Sequence, residues 1–518
     1  MKRFSLFCLL TLLACTGLQA QSFREQFEAF DQNARQTYAD FTVRVIKNYA
    51  EFVKQAWESF EASKPVPMPQ DDPVPLVPYE EEEQQNKQQE KQQDQQKDQQ
   101  QEQEQKQEQE QEQDLRQTPP IEDHPIIIDE VIEIPQPKPQ PKPAPQPQPI
   151  VIPKNVVQFE LYGTQMQVRI PDEPLRLANN DRNTIAAAIE SLTKGQYTAF
   201  MEDCQALSRK HRLTDYFYLR LIDAAVRAHL PNRPNETQLL KAFILSQSGY
   251  KTRLALDENK QLLMLFGSDN IIYSRPYWTI GGTYYYADGD TNGRLQICNF
   301  AFPEEQSFNL VLDSEPSLTA APAPARTLTV ADEKHLSVTV SEDNNLIRLL
   351  ETYPSSQIGS NPVSRWALYA NMPLSNKARE SLYPQLQALM DGLSVQDQLN
   401  LLLRWVQKSL VYEYDDKVWG QDRAFFADET LYYPYADCED RSILFSRLVR
   451  DLIGLRVALV YYPGHLATAV EAPASIKGDH LTIDNSRFLV CDPTYIGAPI
   501  GRTMKGMDNQ TAKVIVLE

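Results

Sequence analysis

Three residue types that together can do nucleophilic chemistry recur at a regular interval near the C-terminal end of the sequence. Cys438 precedes His465 by 27 residues, and His465 precedes Asp492 by another 27. A thiol becomes a strong nucleophile when an imidazole takes its proton, and the imidazole needs an acceptor that fixes its tautomer. The pattern therefore predicts a thiol nucleophile, a histidine base and an orienting aspartate.

The cysteine belongs to the stretch YADCEDRSILFSRLVRDLIGL, residues 435–455. Apolar residues at helical spacing predict a buried helix that Asp437 or Cys438 itself caps and that Gly454 ends. A helix N-terminus lowers the pKa of a thiol, whereas the neighbouring Glu439 and Asp440 oppose that shift. Activation of this thiol therefore calls for a cationic partner.

The histidine and the aspartate fall at the ends of predicted strands. The segment LRVALVYYP, residues 455–463, is typical of a buried strand, and His465 opens the next one, LATAV. A hairpin that turns near residues 484–485 then leads to Asp492. We expect His480 in an exposed loop before this hairpin, where it competes weakly with His465. Cys491 is expected to be buried and inert.

Other candidate site residues are fewer. The backbone N–H of Cys438 is one expected oxyanion donor, and a weaker second candidate is the side chain of Gln421 or Trp419. No grouping of histidines, cysteines and acids has the spacing of a metal site, so the sequence predicts neither a metal nor a cofactor.

The block of residues 394–500 resembles the transglutaminase-like superfamily of papain-type Cys-His-Asp thiol enzymes. The motifs that carry the resemblance are DCEDRS, GHLATAV and CDPTY. It implies a helix packed on an antiparallel sheet, with a triad of Cys438, His465 and Asp492. It also implies a thioacyl intermediate formed from an amide, released by hydrolysis or by transfer to an amine. We favour hydrolysis by a protease or amidase, and Tyr435-Ala436, in place of the family's usual glycine, leaves the substrate type open.

The first part of the body repeats features of the last. Segments at residues 213–230 and 236–267 resemble the helix–helix–strand–strand order of the thiol region, with Gly249 where Gly454 stands. In that register Arg233 takes the position of the thiol and Lys260 that of the histidine. The sequence thus raises the hypothesis of a degenerate, non-catalytic copy, against a chance similarity of two helix–strand units.

The N-terminal end has the features of an export signal. A charged MKR start, an apolar run and the small residue Ala20 predict a signal peptide. The alternative is a lipobox that makes Cys15 a lipidated anchor. Either way, we expect an exported bacterial protein of the periplasm or cell surface.

An eleven-residue spacing of apolar and aromatic residues follows, over residues 23–60. This period predicts a long helix. Its aromatic stripe is expected to pack on a copy of itself, as in a coiled coil, or on the body of the protein. The sharper alternative is attachment to a membrane or envelope surface.

Charge is distributed unevenly along the 518 residues. Of the net charge of −19, residues 80–114 contribute −9, from 13 acids and 4 lysines. The remainder is only mildly acidic and has no basic patch, which argues against a nucleic-acid partner. A protein or peptide substrate is the expected partner.

The predicted fold class is α+β, in six parts along the chain. These are a signal peptide (1–20), an amphipathic repeat helix (21–64), a Gln/Glu- and Pro-rich disordered linker (65–154), an α+β domain that is the degenerate copy (155–305), a β-rich segment (306–375) and a transglutaminase-like catalytic domain (376–518). The predicted function is that of an exported thiol hydrolase or acyltransferase. The alternative is a catalytically idle scaffold of the cell envelope.

Overall fold

A computed structural model of the chain describes residues 51–70, 74, 78–79, 123–126, 130–132 and 155–517, apart from residues 292, 303, 421 and 509. The described residues form a mixed α+β protein built on antiparallel sheets, as the coarse fold class predicted. The predicted signal peptide, Cys15 and most of the repeat helix lie outside these residues. Within the described part of the chain, no helix combines the length and apolarity needed to cross a membrane.

Two larger sheets organise the molecule, together with three two-stranded ladders. The strands are β1 (Trp57–Phe60), β2 (Pro125–Ile126), β3 (Glu130–Ile132), β4 (Val156–Leu161), β5 (Thr164–Arg169), β6 (Thr252–Leu256), β7 (Leu262–Ser268), β8 (Asn270–Ile272), β9 (Tyr277–Ile280), β10 (Thr283–Ala287), β11 (Leu295–Cys298), β12 (Arg326–Thr329), β13 (Ser337–Val340), β14 (Ser356–Ile358), β15 (Val457–Tyr462), β16 (His465–Glu471), β17 (His480–Ile483), β18 (Ser486–Cys491) and β19 (Lys513–Val516).

The helices lie mainly before the strands that they cover. They are α1 (Arg182–Ser191), α2 (Thr198–Lys210), α3 (Asp215–His229), α4 (Pro234–Gln247), α5 (Asn344–Leu350), α6 (Arg365–Ala370), α7 (Asn376–Met390), α8 (Val395–Ser409), α9 (Asp415–Val418), α10 (Ala427–Tyr432) and α11 (Cys438–Leu452). A π-helical turn at Leu192–Gln196 and a 3₁₀ turn at Pro362–Ser364 complete the set.

The two sheets have the same strand order. The first sheet runs β1-β11-β6-β7-β10-β9, and the second runs β3-β19-β15-β16-β18-β17-β2. In each, two packed helices (α3 and α4, or α8 and α11) precede a central hairpin. The hairpin β6–β7 is flanked by β11 and β10, and the hairpin β15–β16 is flanked by the corresponding strands β19 and β18. This is the order of helices and strands that the hypothesis of an internal copy requires.

The second sheet is curled. Only three residues separate β2 from β3, although these strands lie at opposite edges of seven strands. A flat sheet would place them roughly 29 Å apart at about 4.8 Å per strand, whereas the chain from Ile126 to Glu130 reaches only about 13 Å. Both strands pair in parallel with their neighbours, β17 and β19. The edge strands β2 and β3 therefore lie close together, and the sheet curls so that its two edges approach each other.

Two predictions about the N-terminal third are wrong in part. Residues 51–55 are helical, but Trp57–Phe60 form an edge strand on β11 instead of continuing the predicted helix. Phe52 still packs on the body, with its ring centroid 4.9 Å from that of Phe300. The linker predicted over 65–154 contributes β2 and β3 to the second sheet. Composition alone misses such strands because an edge supplies their hydrogen-bonding partners.

The middle segment, 306–375, is more helical than predicted. The hairpin of β12 and β13 agrees with the predicted β-rich character, whereas SFNLVL at residues 307–312 makes only an isolated bridge from Phe308 to Ser268. Helices α5 and α6 also lie in this segment, beside the short strand β14. Asp343 caps α5, and the buried face of each helix completes the core.

Candidate active site

Helix α11 begins where the sequence predicts. Asp437 is its N-cap, and the Asp437 N–H donates to Asp440 Oδ2 over 3.4 Å. The helix stops before Gly454, which has a φ of 76° and supplies the left-handed residue that ends a helix. This local structure places Cys438 at the first helical position, facing the hairpin of β15 and β16.

His465 and Asp492 form a buried pair on neighbouring strands of the second sheet. Nε2 of His465 lies 2.8 Å from Oδ2 of Asp492, and the two residues are 3% and 2% exposed. The other carboxylate oxygen accepts from the hydroxyl of Thr494 at 2.7 Å and from its N–H at 2.9 Å. Burial alone would raise the pKa of Asp492, but His465 and Thr494 outweigh it and lower the pKa.

Cys438 contacts Leu466, the residue next to His465, and its thiol proton is directed elsewhere. Its thiol donates to Glu439 Oε2 over 3.1 Å, and the backbone N–H of Leu466 hydrogen-bonds its sulfur. Burial raises the pKa of Cys438 well above its usual value, and the negative charges of Glu439 and Asp437 raise it further. Burial and the two acids therefore outweigh the lowering of the thiol pKa that the helix N-terminus is expected to produce.

Carboxylates surround the N-terminus of α11. One oxygen from each of Asp415, Asp437 and Asp440 lies within 4.8 Å of the others, and Asp415, Asp422 and Glu439 form a second such group. Burial, and then Glu439, raises the pKa of Asp415 to about 8. Burial also raises the pKa values of Asp437 and Asp440. These are the described residues that could hold a hard cation, and their distance in sequence hid them from the spacing argument.

Gln407 positions the loop that follows Asp492, a role that the sequence analysis missed. It lies on the buried face of α8, and its Nε2 donates over 2.9 to 3.1 Å to three carbonyl oxygens, those of Asp492, Tyr495 and Ala498. Its Oε1 accepts from the N–H of Gly497 over 3.2 Å. The detectable signal was a glutamine among the apolar positions of an amphipathic helix.

Arg441 ties the nucleophile helix to α8. Its side chain is fully buried and donates to the carbonyl oxygens of Gln407 and Leu410 over 3.0 and 2.9 Å. The guanidinium carbon lies 5.1 Å from the ring centroid of Tyr412, whose own pKa is raised by burial and by Cys438. Burial lowers the pKa of Arg441 to about 10. The cation holds the first turn of α11 in place.

The weaker candidates are distributed around the site. Trp419 packs against Phe425 and Tyr433, with Arg423 4.8 Å from its ring centroid. Gln421 lies outside the described residues. Contrary to expectation, His480 is not in a loop: it opens β17, is half-buried and contacts the carbonyl of Gly478 over 3.0 Å.

The remaining cysteines take no part in the site. Cys491 is fully buried at the end of β18, as predicted, and burial raises its thiol pKa. Cys204 and Cys298 are buried and free. Cys438 is the partly exposed thiol among the four described.

The first sheet keeps one member of the constellation. In the second sheet, the residue before Asp492 pairs with Thr468, which lies three residues after His465. In the first sheet, the residue before Asp288 pairs with Leu265, which lies three residues after Leu262. Asp288 therefore stands where Asp492 does, and Leu262 where His465 does. The position predicted for the histidine, Lys260, is wrong by two residues because the first hairpin has a five-residue turn and the second a two-residue turn.

The thiol position shifts as well. Pro234 opens α4 as Cys438 opens α11, whereas the predicted Arg233 is the N-cap, because α4 begins one residue nearer to its terminal glycine. The conclusion that the first unit lacks both thiol and imidazole stands.

No family model matches the chain, and no curated protein matches it.

Proposed function

We propose that the protein is a thiol enzyme of transglutaminase-like type that acts on amide bonds through Cys438, His465 and Asp492. The observation that carries the proposal is the buried pair of His465 and Asp492, 2.8 Å apart, together with a thiol at the first position of a buried helix, whose sulfur accepts from the N–H of the residue that follows His465. A buried carboxylate is costly unless it is hydrogen-bonded, and Asp492 has such partners in His465 and Thr494. An aspartate held in this way can orient a general base.

In the proposed reaction Nε2–H of His465 donates to Asp492, which leaves Nδ1 to take a proton. The thiol of Cys438 turns from Glu439 towards the imidazole and gives up its proton as the sulfur attacks the amide carbonyl. The imidazolium then protonates the leaving amine, and a thioacyl-enzyme remains. The N–H of Cys438 is the proposed donor to the developing oxyanion, with Trp419 or Gln421 as weaker candidates.

Release of the acyl group completes the cycle. Water, deprotonated by His465, gives a hydrolase, whereas an amine in the same place gives an acyltransferase. We favour hydrolysis, with an exported protein or peptide as substrate. The first α+β unit is then a non-catalytic copy of the same type, which shapes the substrate groove.

The test measures alkylation of Cys438 by iodoacetamide from pH 5 to pH 10 in the full chain, with mass mapping of the modified residue. If His465 is the base, His465→Ala slows the alkylation at pH 7 by tenfold or more. The pH at which the rate rises should also move upward, because Cys438 without its base ionises only at the raised pKa of the buried thiol. His480→Ala is the matched control. His480 lies on β17, which β18 separates from the strand of His465, and it contacts the carbonyl of Gly478.

The result also separates the two functions raised by the sequence. A profile that His465→Ala leaves unchanged would remove the base from the mechanism and favour the idle scaffold. Incubation with unfolded casein and a fluorescent primary amine then distinguishes hydrolysis, which gives new peptides, from transfer, which labels the casein.

A further inference from the structure

The proline-rich segment after β1 runs from the first sheet to the candidate active site. Val66 O accepts a hydrogen bond from the Ser274 N–H over 2.8 Å, at the first sheet. Further along, the Val74 N–H donates to Gly464 O over 3.2 Å, and the Tyr79 N–H donates to Ile496 O over 3.0 Å. The two later contacts are both on the second unit.

These contacts are made close in sequence to both members of the His465–Asp492 pair. Gly464 immediately precedes His465 in the turn between β15 and β16, and Ile496 follows Asp492 by four residues. The ring of Tyr79 packs edge-to-face on that of Tyr495, with centroids 5.4 Å apart. Val74 and Tyr79 thus both contact backbone next to the proposed catalytic pair.

The chemistry of the segment suits an extended ligand. Residues 65–79 read PVPMPQDDPVPLVPY, with prolines that favour an extended backbone and limit the entropy lost on binding. The chain is also fixed before the segment, by β1, and after it, by β2. Such tethering gives an effective local concentration on the order of millimolar, so that modest contacts suffice to keep the surface occupied.

We propose that the surface formed by Gly464, Tyr495 and Ile496 is a peptide-binding subsite of the enzyme and that the intact chain occupies it with its own Val74 and Tyr79. This inference rests on the proposed function and names the substrate class: an extended polypeptide with prolines and an aromatic residue that packs on Tyr495. A substrate competes with the chain's own segment, and cleavage or displacement of that segment exposes the subsite.

The test uses the full chain and two probes of Cys438, iodoacetamide and a bulky peptide-linked maleimide. Val74→Pro removes the N–H that donates to Gly464 while keeping an extended backbone between Pro73 and Pro75. Tyr79→Ala removes the ring on Tyr495. Each change should raise the rate with the bulky probe, relative to iodoacetamide, by about three- to tenfold.

Val66→Pro is the matched control. It makes the same substitution in the same Pro-Val-Pro context, at a residue whose contact with Ser274 uses the carbonyl oxygen that proline keeps. The ratio of the two rates should stay at the wild-type value. A synthetic peptide of residues 71–80, added to the Val74→Pro/Tyr79→Ala variant, should restore the slow reaction of the bulky probe.

The outcomes separate this inference from the proposed function. The ratio of the two rates could stay unchanged in Val74→Pro and Tyr79→Ala while iodoacetamide alkylation still depends on His465. The proposal that the chain occupies its own subsite would then be wrong, and the proposed thiol mechanism would be retained. If the ratio rises but His465→Ala has no effect on alkylation, the segment covers the surface and the enzyme mechanism is wrong.

Discussion

The two sheets place an aspartate at the same point and surround it differently. In the second sheet, Asp492 faces a histidine that can exchange a proton. In the first, Asp288 forms ion pairs with Arg220 and with Lys241, which is fully buried. Burial alone would raise the pKa of Asp288, but the two cations outweigh it and lower the pKa to about 2.

The difference indicates how one framework could hold either the proposed proton-transfer site or a fixed ionic cluster. A leucine at position 262 stands in place of the histidine, and fixed cations balance the buried carboxylate. The second unit also inserts residues 410–437 between its two helices, where the first has a four-residue connection. That insertion supplies Asp415 and Asp437 at the N-terminus of the helix that bears the thiol. The two units thus differ at one strand position and one connection.

Breaking the ionic cluster of the first unit should have the largest effect. Lys241→Met leaves Asp288 buried with one partner fewer, and we expect a loss of about 3–5 kcal/mol in the free energy of unfolding, measured by urea denaturation. Arg227→Ala removes the exposed pair with Asp223 and should cost less than about 1 kcal/mol. Equal losses in the two variants would contradict the assignment.

Exchanging the aspartates for asparagine sharpens the comparison. Asp492→Asn should reduce the reactivity of Cys438 at pH 7 by roughly a hundredfold, because the imidazole loses the acceptor that fixes its tautomer. Asp288→Asn should leave that reactivity unchanged and lower only the thermal stability. The measurement is the alkylation rate beside a melting curve, and a comparable loss of reactivity in both variants would refute distinct roles.

Gln407 offers a smaller test of how the second unit holds its aspartate. Gln407→Met leaves three carbonyls and one N–H without this partner, at a cost of about 2 kcal/mol in unfolding free energy. Because the loop after Asp492 loosens, alkylation of Cys438 should also slow. Asn400→Leu is the control for a purely structural effect. Asn400 lies on the same helix as Gln407, and its side chain accepts from the Ile500 N–H.

The smallest expected effect concerns pH. The pKa of Asp415 is raised to about 8, so the folded chain binds more protons than the unfolded chain between about pH 4 and pH 8. Its contribution to stability is complete at low pH and falls as the pH rises through that window. Asp415→Asn should flatten the fall and stabilise the protein at pH 8 by about 1 kcal/mol. Asp416→Asn, at an exposed neighbour, should change nothing.

Local patterns allowed the framework of the second unit to be predicted. The helix from Cys438, the strands from Val457 and His465, and the turn at residues 484–485 follow from periodicity, capping and turn chemistry. Each depends on residues close together in the sequence. The thiol, the imidazole and the carboxylate could therefore be assigned to strand and helix ends before the structure was known.

Long-range partners set the limit of that prediction. The carboxylates of Asp415 and Asp440 converge only after folding. The pKa of the Cys438 thiol is raised mainly by burial, which the local sequence does not reveal, and then by the neighbouring acids. The segments that contain Trp57 and Ile126 become strands because an unpaired edge receives them, which no local pattern encodes. Gln407 acts through carbonyls some 90 residues away.

The position of β2 and β3 at the two edges of the curled sheet has a consequence for self-association. β2 pairs with β17 and β3 pairs with β19, so each covers part of an edge. A protease that removed both strands would expose the backbone N–H and C=O groups of β17 and β19 at once. Exposed rows of this kind template the pairing of strands from separate molecules, so the trimmed protein should self-associate before it loses its fold.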